Sequence, residues 1–377
     1  MKRARLIVLL IILWTSPVNS QGNSTWYAWA YAEATDTLLL FNQEGDLLEI
    51  DAPTAPEIEP AAGKFFAISR DGADMAVVSY ALDGSPLVIF YDLNSGAQNA
   101  WLGKPEESYL PNLDGSLSIP SVTFSQDGSL FALGLSDFET WRVVIFLTET
   151  GQAAVEINQD YEYVQPIMEA AGSFVIPVVR LFDEQGVHVQ LVSSTIEGMT
   201  EYPAFLWKWD GNVVESPYTE AFMDVSPLTN EIVYPMLDDE TPAPDPIGPR
   251  AAFNAIDMSS SDFIMTLDED LLITRTRWAE GTQAVLYETQ DPETFETIWN
   301  VVPADAPDEA AELLSQYIDV RGTPDGFLSI EGDTGIISFH SVDDPYDPQP
   351  ITTIITGDGL AEILWVSPEG YPYNGPG

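Results

Sequence analysis

Residues 65–80 read FFAISRDGADMAVVSY, and residues 121–135 read SVTFSQDGSLFALGL. Each segment consists of two short apolar runs, rich in residues that favour strands, separated by a Ser-x-Asp-Gly tetrapeptide. Asp-Gly between apolar runs is a strong signal for a tight turn that joins two antiparallel strands. We therefore expect a β-hairpin in each segment, with Ser and Asp side chains bonding the turn and with Gly72 and Gly128 at positive φ.

The strand–turn–strand pattern recurs along the chain. Weaker or variant copies occupy residues 167–179, 222–236, 276–288, 319–330 and 363–372. Their turn positions lie 44 to 58 residues apart, and further apolar runs follow most of the second strands. Four antiparallel strands repeated at this spacing are typical of a β-propeller. The sequence therefore predicts an all-β protein: a seven-bladed β-propeller of four-stranded antiparallel blades.

The two ends of this repeat array complement each other. The last copy, residues 363–372, supplies a first strand with almost nothing after it, whereas residues 25–51 supply three strands and lack a first one. We expect the C-terminal strand to pair with the N-terminal strands, which would close the ring and remove an open sheet edge. Helix is predicted only at residues 307–318, where proline and acidic residues occupy the first turn.

Residues 1–20 have the pattern of a secretory signal peptide. Lys2, Arg3 and Arg5 precede a nine-residue apolar core, and small residues precede a cleavage position before Gln21. A membrane-spanning helix needs about 20 apolar residues, so we expect no transmembrane anchor after cleavage. The predicted organisation is a signal peptide at 1–20 and a single propeller domain at 21–377, in a periplasmic or extracellular protein.

The chain is strongly acidic, with 13 basic and 60 acidic residues and a formal net charge of −47. Removal of the three bases in residues 1–20 takes the charge from −47 to −50. Such a surface cannot assemble the basic stripe that nucleic-acid binding requires. The absence of cysteine excludes disulfides, thiolate metal sites and a cysteine nucleophile. We expect a monomer that binds no nucleic acid.

The Ser-x-Asp-Gly turns, with the variant WVSPEGYP near the C-terminus, resemble the WD-repeat-like repeats of the TolB-type propellers. Similar repeats form the propeller half of prolyl-oligopeptidase-type enzymes. The resemblance extends over most of residues 25–372 and implies a propeller fold and binding roles. It carries over no functional residue, because these motifs specify turn geometry rather than chemistry.

Two groups of carboxylates are candidate Ca²⁺ ligands. Asp238 and Asp239 open a proline-rich loop, and Asp343, Asp344 and Asp347 lie close together further along. Clustered carboxylates on loops suit Ca²⁺, which takes six to eight oxygen ligands. The alternative is solvated surface charge, because clusters arise by chance in so acidic a chain.

Aromatic residues are the candidates for ligand binding. Trp207 and Trp209 alternate on one predicted strand and thus share a face, on which a sugar or a peptide could stack. Tyr109 belongs to a long inter-strand loop, residues 103–118, of the kind that often carries recognition. The alternative for the tryptophans is simple packing against the next blade.

These observations predict an exported, non-enzymatic binding module whose partner is a protein or a cell-envelope glycan. The alternative is a secreted propeller enzyme that acts on a glycan, lactone or ester through paired carboxylates facing the central channel. No Gly-x-Ser-x-Gly nucleophile motif is present. His188 and His340 are isolated, and we expect both to be packing or surface residues.

Overall fold

The computed structural model of the protein describes parts of the chain between Trp26 and Ser367. The described residues are 26–54, 63–82, 86–93, 95–102, 118–125, 127–136, 140–171, 175–182, 185–195, 198–202, 204–216, 224–225, 232–237, 251–257, 260–266, 272–279, 284–291, 294, 296–303, 310–313, 316–357 and 360–367. The signal peptide predicted at residues 1–20 lies outside these ranges.

The described strands form seven antiparallel sheets, six of them four-stranded. We number the sheets in chain order. Their strands are as follows: β1 (Tyr27–Ala32), β2 (Thr37–Asn42) and β3 (Gly45–Asp51) in sheet 1; β4 (Phe65–Ile68), β5 (Asp74–Tyr80), β6 (Pro86–Asp92) and β7 (Gln98–Leu102) in sheet 2; β8 (Ser118–Phe124), β9 (Leu130–Ser136), β10 (Trp141–Leu147) and β11 (Ala153–Asn158) in sheet 3; β12 (Val175–Phe182), β13 (Gly186–Thr195), β14 (Gly198–Glu201), β15 (Phe205–Lys208) and β16 (Val213–Glu215) in sheet 4; β17 (Asp224–Val225), β18 (Ile232–Leu237), β19 (Ala251–Asp257) and β20 (Ser260–Thr266) in sheet 5; β21 (Leu272–Ala279), β22 (Ala284–Gln290), β23 (Thr297–Pro303) and β24 (Ala311–Glu312) in sheet 6; β25 (Tyr317–Thr323), β26 (Gly326–Glu331), β27 (Ile336–His340) and β28 (Gln349–Thr353) in sheet 7; and β29 (Ala361–Val366), which joins sheet 1.

Helix is almost absent from the described residues, as predicted, but the short helix that is present does not lie where the sequence indicated. The one α-helix among the described residues, α1 (Gln165–Ala171), occupies the start of the hairpin predicted at 167–179, so that prediction is wrong. The helix predicted at 307–318 is also wrong, because its described part contains β24 and the start of β25. No helix in the described ranges is long and apolar enough to cross a membrane.

The predicted turn chemistry is confirmed between β4 and β5. Ser69 Oγ donates a hydrogen bond to Asp71 Oδ1 at 2.7 Å and accepts one from the backbone N–H of Asp74 at 2.9 Å. Gly72 has φ +65°, the left-handed conformation that the turn requires. The turn that begins at Ser125, between β8 and β9, repeats the two bonds at 2.7 and 2.9 Å and has a glycine at φ +70°.

Five pairs of sheets pack face to face. Buried apolar clusters join sheet 1 to sheet 2, sheet 2 to sheet 3, sheet 3 to sheet 4, sheet 6 to sheet 7, and sheet 7 back to sheet 1. The first strands β4, β8 and β12 of sheets 2 to 4 lie side by side, as do β21, β25, β29 and β4. In sheet 1, β29 pairs antiparallel with β1, so the first strand of that sheet comes from the far end of the chain.

Antiparallel pairing gives every sheet two distinct ends. We call one the turn edge; it carries the connections from first to second strand and from third to fourth. The other is the loop edge, which carries the connections from second to third strand and the links between sheets, including the link that contains α1. Residues near the beginning of a first strand therefore lie close to the loop edge.

Candidate functional site

Charged side chains meet where the first strands of sheets 6, 7 and 1 lie together. We call this group the arginine–carboxylate cluster; its members are Arg275 and Arg277 on β21, Glu288 on β22, Asp319 and Arg321 on β25, and Glu362 on β29. It holds three of the seven arginines that follow residue 20. In a chain of net charge −47, such a concentration of guanidinium groups marks this region as distinct from the rest of the surface.

Arg275 is held in a fixed position within the cluster. Its Nε and Nη2 donate hydrogen bonds of 2.8 and 2.6 Å to the two carboxylate oxygens of Glu288, which is its cross-strand neighbour. The guanidinium carbon lies 4.8 Å from the ring centre of Trp299, and Nη2 also donates to the carbonyl oxygen of Ile318 at 3.2 Å. A bidentate ion pair backed by an aromatic ring restricts the guanidinium to one orientation.

Asp319 of sheet 7 forms hydrogen bonds to residues of sheets 6 and 1. Its side chain is 2% exposed, and Oδ1 accepts a hydrogen bond from Arg277 Nη2 at 3.2 Å and lies 3.6 Å from Arg275 Nη1. Oδ2 accepts a hydrogen bond from the backbone N–H of Ile363 on β29 at 2.8 Å. Both oxygens of this buried carboxylate are therefore occupied, which compensates the cost of removing its charge from water.

Glu362, which precedes Ile363 on β29, is a carboxyl of the cluster with a raised pKa. Burial raises the pKa of its carboxyl, and the negative charge of Asp319 raises that pKa further. The positive charges of Arg277, Arg321 and Arg275 act in the opposite direction without cancelling the rise. The raised pKa favours the protonated form of the Glu362 carboxyl.

The two candidate tryptophans have different surroundings. Trp207 is buried, 6% exposed, and its Nε1 donates a hydrogen bond to Tyr161 Oη at 3.1 Å, so the structure corrects its assignment as a stacking residue. Trp209, just past β15, is 41% exposed and lies against Phe182. Of this pair, only Trp209 can receive a ligand. Tyr109 lies outside the described residues.

The candidate Ca²⁺ ligands remain a prediction. Asp343, Asp344 and Asp347 are exposed in the connection between β27 and β28, whereas Asp238 and Asp239 lie outside the described residues. Within the described ranges, no three or more His, Cys, Asp or Glu side chains are grouped so as to hold a metal ion.

Both histidines are buried and hydrogen-bonded. His188 Nδ1 lies 2.7 Å from Ser216 Oγ. His340 Nδ1 lies 2.8 Å from the carbonyl oxygen of Pro345, and its Nε2 lies 2.8 Å from Ser329 Oγ. These bonds fix both rings within the protein, and neither histidine lies in the arginine–carboxylate cluster.

The sequence did not reveal the cluster, because its members are spread over residues 275–362. The available signal was local: charged residues alternate with others on predicted strands, as Arg275 and Arg277 do, and as Asp319 and Arg321 do. Two charges at alternate positions of a first strand point to the same face of that strand. Only the placement of β21, β25 and β29 side by side shows that these faces meet.

No protein-family model and no curated protein sequence matches the chain. The chain is similar to the structure of TolB from Acinetobacter baumannii, with 15% sequence identity and a TM-score of 0.42. The match covers 76% of this chain but only 63% of that TolB, less than two thirds of its length.

Two other propeller structures are similar to the chain. The β-propeller domain of the Trilobed protease from Pyrococcus furiosus has 12% identity and a TM-score of 0.49, over 87% of this chain and 94% of that one. The Dos1 propeller has 12% identity and a TM-score of 0.49, over 89% and 86%. The predicted resemblance to TolB-type propeller repeats is confirmed at the level of the fold alone.

Proposed function

We propose that the protein is an exported, seven-bladed β-propeller that acts as a non-enzymatic binding module outside the cytoplasm. Seven antiparallel sheets, the face-to-face packing of five pairs of them, and the pairing of β29 with β1 support a ring closed between the two ends of the chain. The signal-like residues 1–20 support export. The partner is a protein or a cell-envelope glycan, and the module acts as a monomer.

The observation that carries this proposal is the character of the loop edge. Among the described residues, five of the eight exposed large apolar side chains lie there: Phe65, Leu82, Ile318, Ile355 and Leu360. Three of the five stand at or near the beginning of the neighbouring first strands β4, β25 and β29, and β25 and β29 also carry members of the arginine–carboxylate cluster. Exposed apolar groups on strands that also carry fixed charges are typical of a recognition surface.

A thermal-shift screen of residues 21–377 at fixed ionic strength tests the proposal. The panel contains Ca²⁺, Mg²⁺, oligosaccharides, cell-wall fragments and short peptides. A ligand at 100 times its dissociation constant stabilises the native state by about 2.7 kcal/mol. We expect a peptide or glycan to raise the unfolding midpoint, and Leu360→Ser to reduce that shift. Tyr346→Ser, at an exposed position on the turn edge, is the matched control.

The second candidate function is an enzyme, and Glu362 is the residue that supports it. Its raised pKa makes it the possible acid of a carboxylate pair with Asp319. Asp319 is a poor general base in such a pair, because both of its carboxylate oxygens already accept hydrogen bonds. Turnover of a glycan, lactone or ester that is abolished by Glu362→Gln would establish the enzyme and overturn the non-enzymatic proposal.

A further inference from the structure

We infer that the indole of Trp209 is the stacking platform of a separate binding site, on the turn edge, that takes a neutral oligosaccharide. The site lies where β15 ends and the hairpin to β16 begins, at the opposite end of the sheets from the loop-edge surface. It goes beyond the proposed function, because it does not depend on any ligand that the loop edge binds.

The ring of Trp209 is held in place before any ligand arrives. It stacks against Phe182 with ring centres 6.3 Å apart and planes inclined by 23°. Trp207 meets it edge-on at 5.7 Å and 86°, and Trp207 is itself anchored to Tyr161. The backbone N–H of Trp209 donates to the carbonyl oxygen of Gln185 at 3.0 Å. An exposed aromatic ring fixed in this way loses little conformational freedom when a ligand stacks on it.

Polar groups of fixed orientation follow Trp209 in the hairpin. Asn212 donates to Asp210 twice, from its backbone N–H to Oδ1 at 3.0 Å and from its side-chain amide to Oδ2 at 2.9 Å. These hydrogen bonds lower the pKa of Asp210, so its carboxylate stays ionised and can accept further hydrogen bonds from sugar hydroxyls. A Cβ atom added to the intervening Gly211 would meet no described atom within 4 Å.

The combination favours a neutral sugar over other ligands. A pyranose ring presents an apolar C–H face to an aromatic ring and hydroxyls at its rim, which suits an exposed indole that is followed in the same hairpin by a carboxylate and an amide. The net charge of −47 opposes acidic polysaccharides. A peptide that bound by strand addition would have to pair with β16, the outermost strand of sheet 4, which has only three residues.

Affinity gel electrophoresis provides the test. Residues 21–377 are run in native gels that contain one soluble neutral polysaccharide each: hydroxyethyl cellulose, galactomannan, xylan, laminarin or glycol chitin. The variants are Trp209→Ala, the conservative Trp209→Phe, and the control Tyr346→Ala. Tyr346 is a 66% exposed aromatic residue on the turn edge of sheet 7. Circular dichroism melts show that each variant is folded.

We expect at least one polysaccharide to retard the wild type. Trp209→Ala should weaken that binding by about fivefold or more, the loss of one aromatic stacking contact, while Trp209→Phe recovers part of it and Tyr346→Ala leaves it unchanged. Absence of retardation with all five polysaccharides would overturn the inference, as would equal retardation of the wild type and Trp209→Ala. Leu360→Ser should be retarded as strongly as the wild type, because Leu360 lies on the loop edge. The result for Trp209 therefore does not depend on whether the loop-edge proposal is correct.

Discussion

Trp365 of β29 covers Gly72 in the first turn of sheet 2. A Cβ atom added to Gly72 would lie 2.5 Å from the indole carbon Cη2, and the Nε1 of the same indole donates a hydrogen bond to the carbonyl oxygen of Arg70 at 3.3 Å. The last strand of the chain thus packs against a turn near its beginning. Gly72 is therefore needed for two reasons: it adopts the positive φ of the turn, and it leaves room for the Trp365 ring of the neighbouring sheet.

This contact predicts that Gly72→Ala destabilises the protein more than the same change in the corresponding turn. At Gly128 a new Cβ would meet Ser69 Cβ at 3.5 Å, an ordinary contact, so Gly128→Ala incurs only the positive-φ cost of about 1–2 kcal/mol. Gly72→Ala adds a clash with a buried ring, for a total of about 3 kcal/mol. Urea unfolding of both variants measures the difference; equal losses would show that Trp365 moves aside freely.

The pairing of β29 with β1 predicts that deletion of residues 361–377 destabilises the whole protein. The deletion removes the buried side chains of Ile363 and Trp365 and leaves one side of β1 unpaired. We expect loss of the cooperative thermal transition in circular dichroism. A chain that ends at Ser367 is the control, because it keeps β29 and the two hydrogen bonds between Ser367 and Tyr27. A deletion variant that melts like this control would contradict the role of β29.

How far the sequence predicts the structure depends on how local the cause is. The turn at Ser69 was predictable, because three of its bonded groups lie within six residues. The helix predicted at 307–318 failed for a tertiary reason: Leu313 and Tyr317 are buried in the core between sheets 6 and 7, and the N–H of Leu313 bonds to Trp299. Strand pairing there overrides the helical preference of the local sequence.

The candidate sites show the same difference between features with a local cause and features with a tertiary cause. The exposure of Trp209 and the burial of Trp207 follow from how Phe182 and Tyr161 pack around them, which strand periodicity alone does not specify. The arginine–carboxylate cluster needs three sheets to be side by side. Local sequence patterns therefore predicted the hairpins with Ser-x-Asp-Gly turns, while the placement of binding groups depended on contacts between sheets.

We predict that substitution of the buried Asp319 destabilises the protein strongly, and that leucine at this position is worse than asparagine. Asp319→Leu leaves Arg277 without the carboxylate that it bonds, in a site where the Asp319 side chain is 2% exposed. Loss of one partner from a buried ion pair costs about 3–5 kcal/mol, and Asp319→Asn should cost less because the amide oxygen can still accept from Ile363. Asp343→Asn, at an exposed carboxylate, should change the free energy of unfolding by less than about 0.5 kcal/mol. Equal urea midpoints for Asp319→Leu and Asp343→Asn would refute this.

The environment of His340 leads us to expect that the free energy of unfolding falls as the pH drops below the usual histidine range. Since a carbonyl oxygen only accepts, Nδ1–H donates to Pro345 and the unprotonated Nε2 accepts from Ser329, so the neutral ring satisfies both bonds. Burial lowers the pKa of His340, and the bond to Pro345 only partly offsets this. The unfolded state, with a pKa of about 6.5, then binds the proton more readily than the native state.

The contribution of His340 to stability is therefore complete above about pH 6.5 and declines below it, with a slope of up to about 1.4 kcal/mol per pH unit. Unfolding free energies of the wild type and His340→Gln between about pH 7 and 5.5 measure it. We expect a shallower slope in the variant, whatever its absolute stability. Parallel slopes would assign the pH dependence to other groups.

The net charge of −47 predicts that the melting temperature depends strongly on salt at low ionic strength. The Debye length is about 30 Å at 0.01 M and about 10 Å at 0.1 M, so repulsion among surface carboxylates acts over long distances in the first solution and is largely screened in the second. We expect the melting temperature to climb steeply between these concentrations and then to level off. Choline chloride should act like sodium chloride if screening is the cause, because its bulky cation does not occupy metal sites. A flat profile would show that the native fold does not concentrate the negative charge, and a rise with sodium alone would point to bound cations instead.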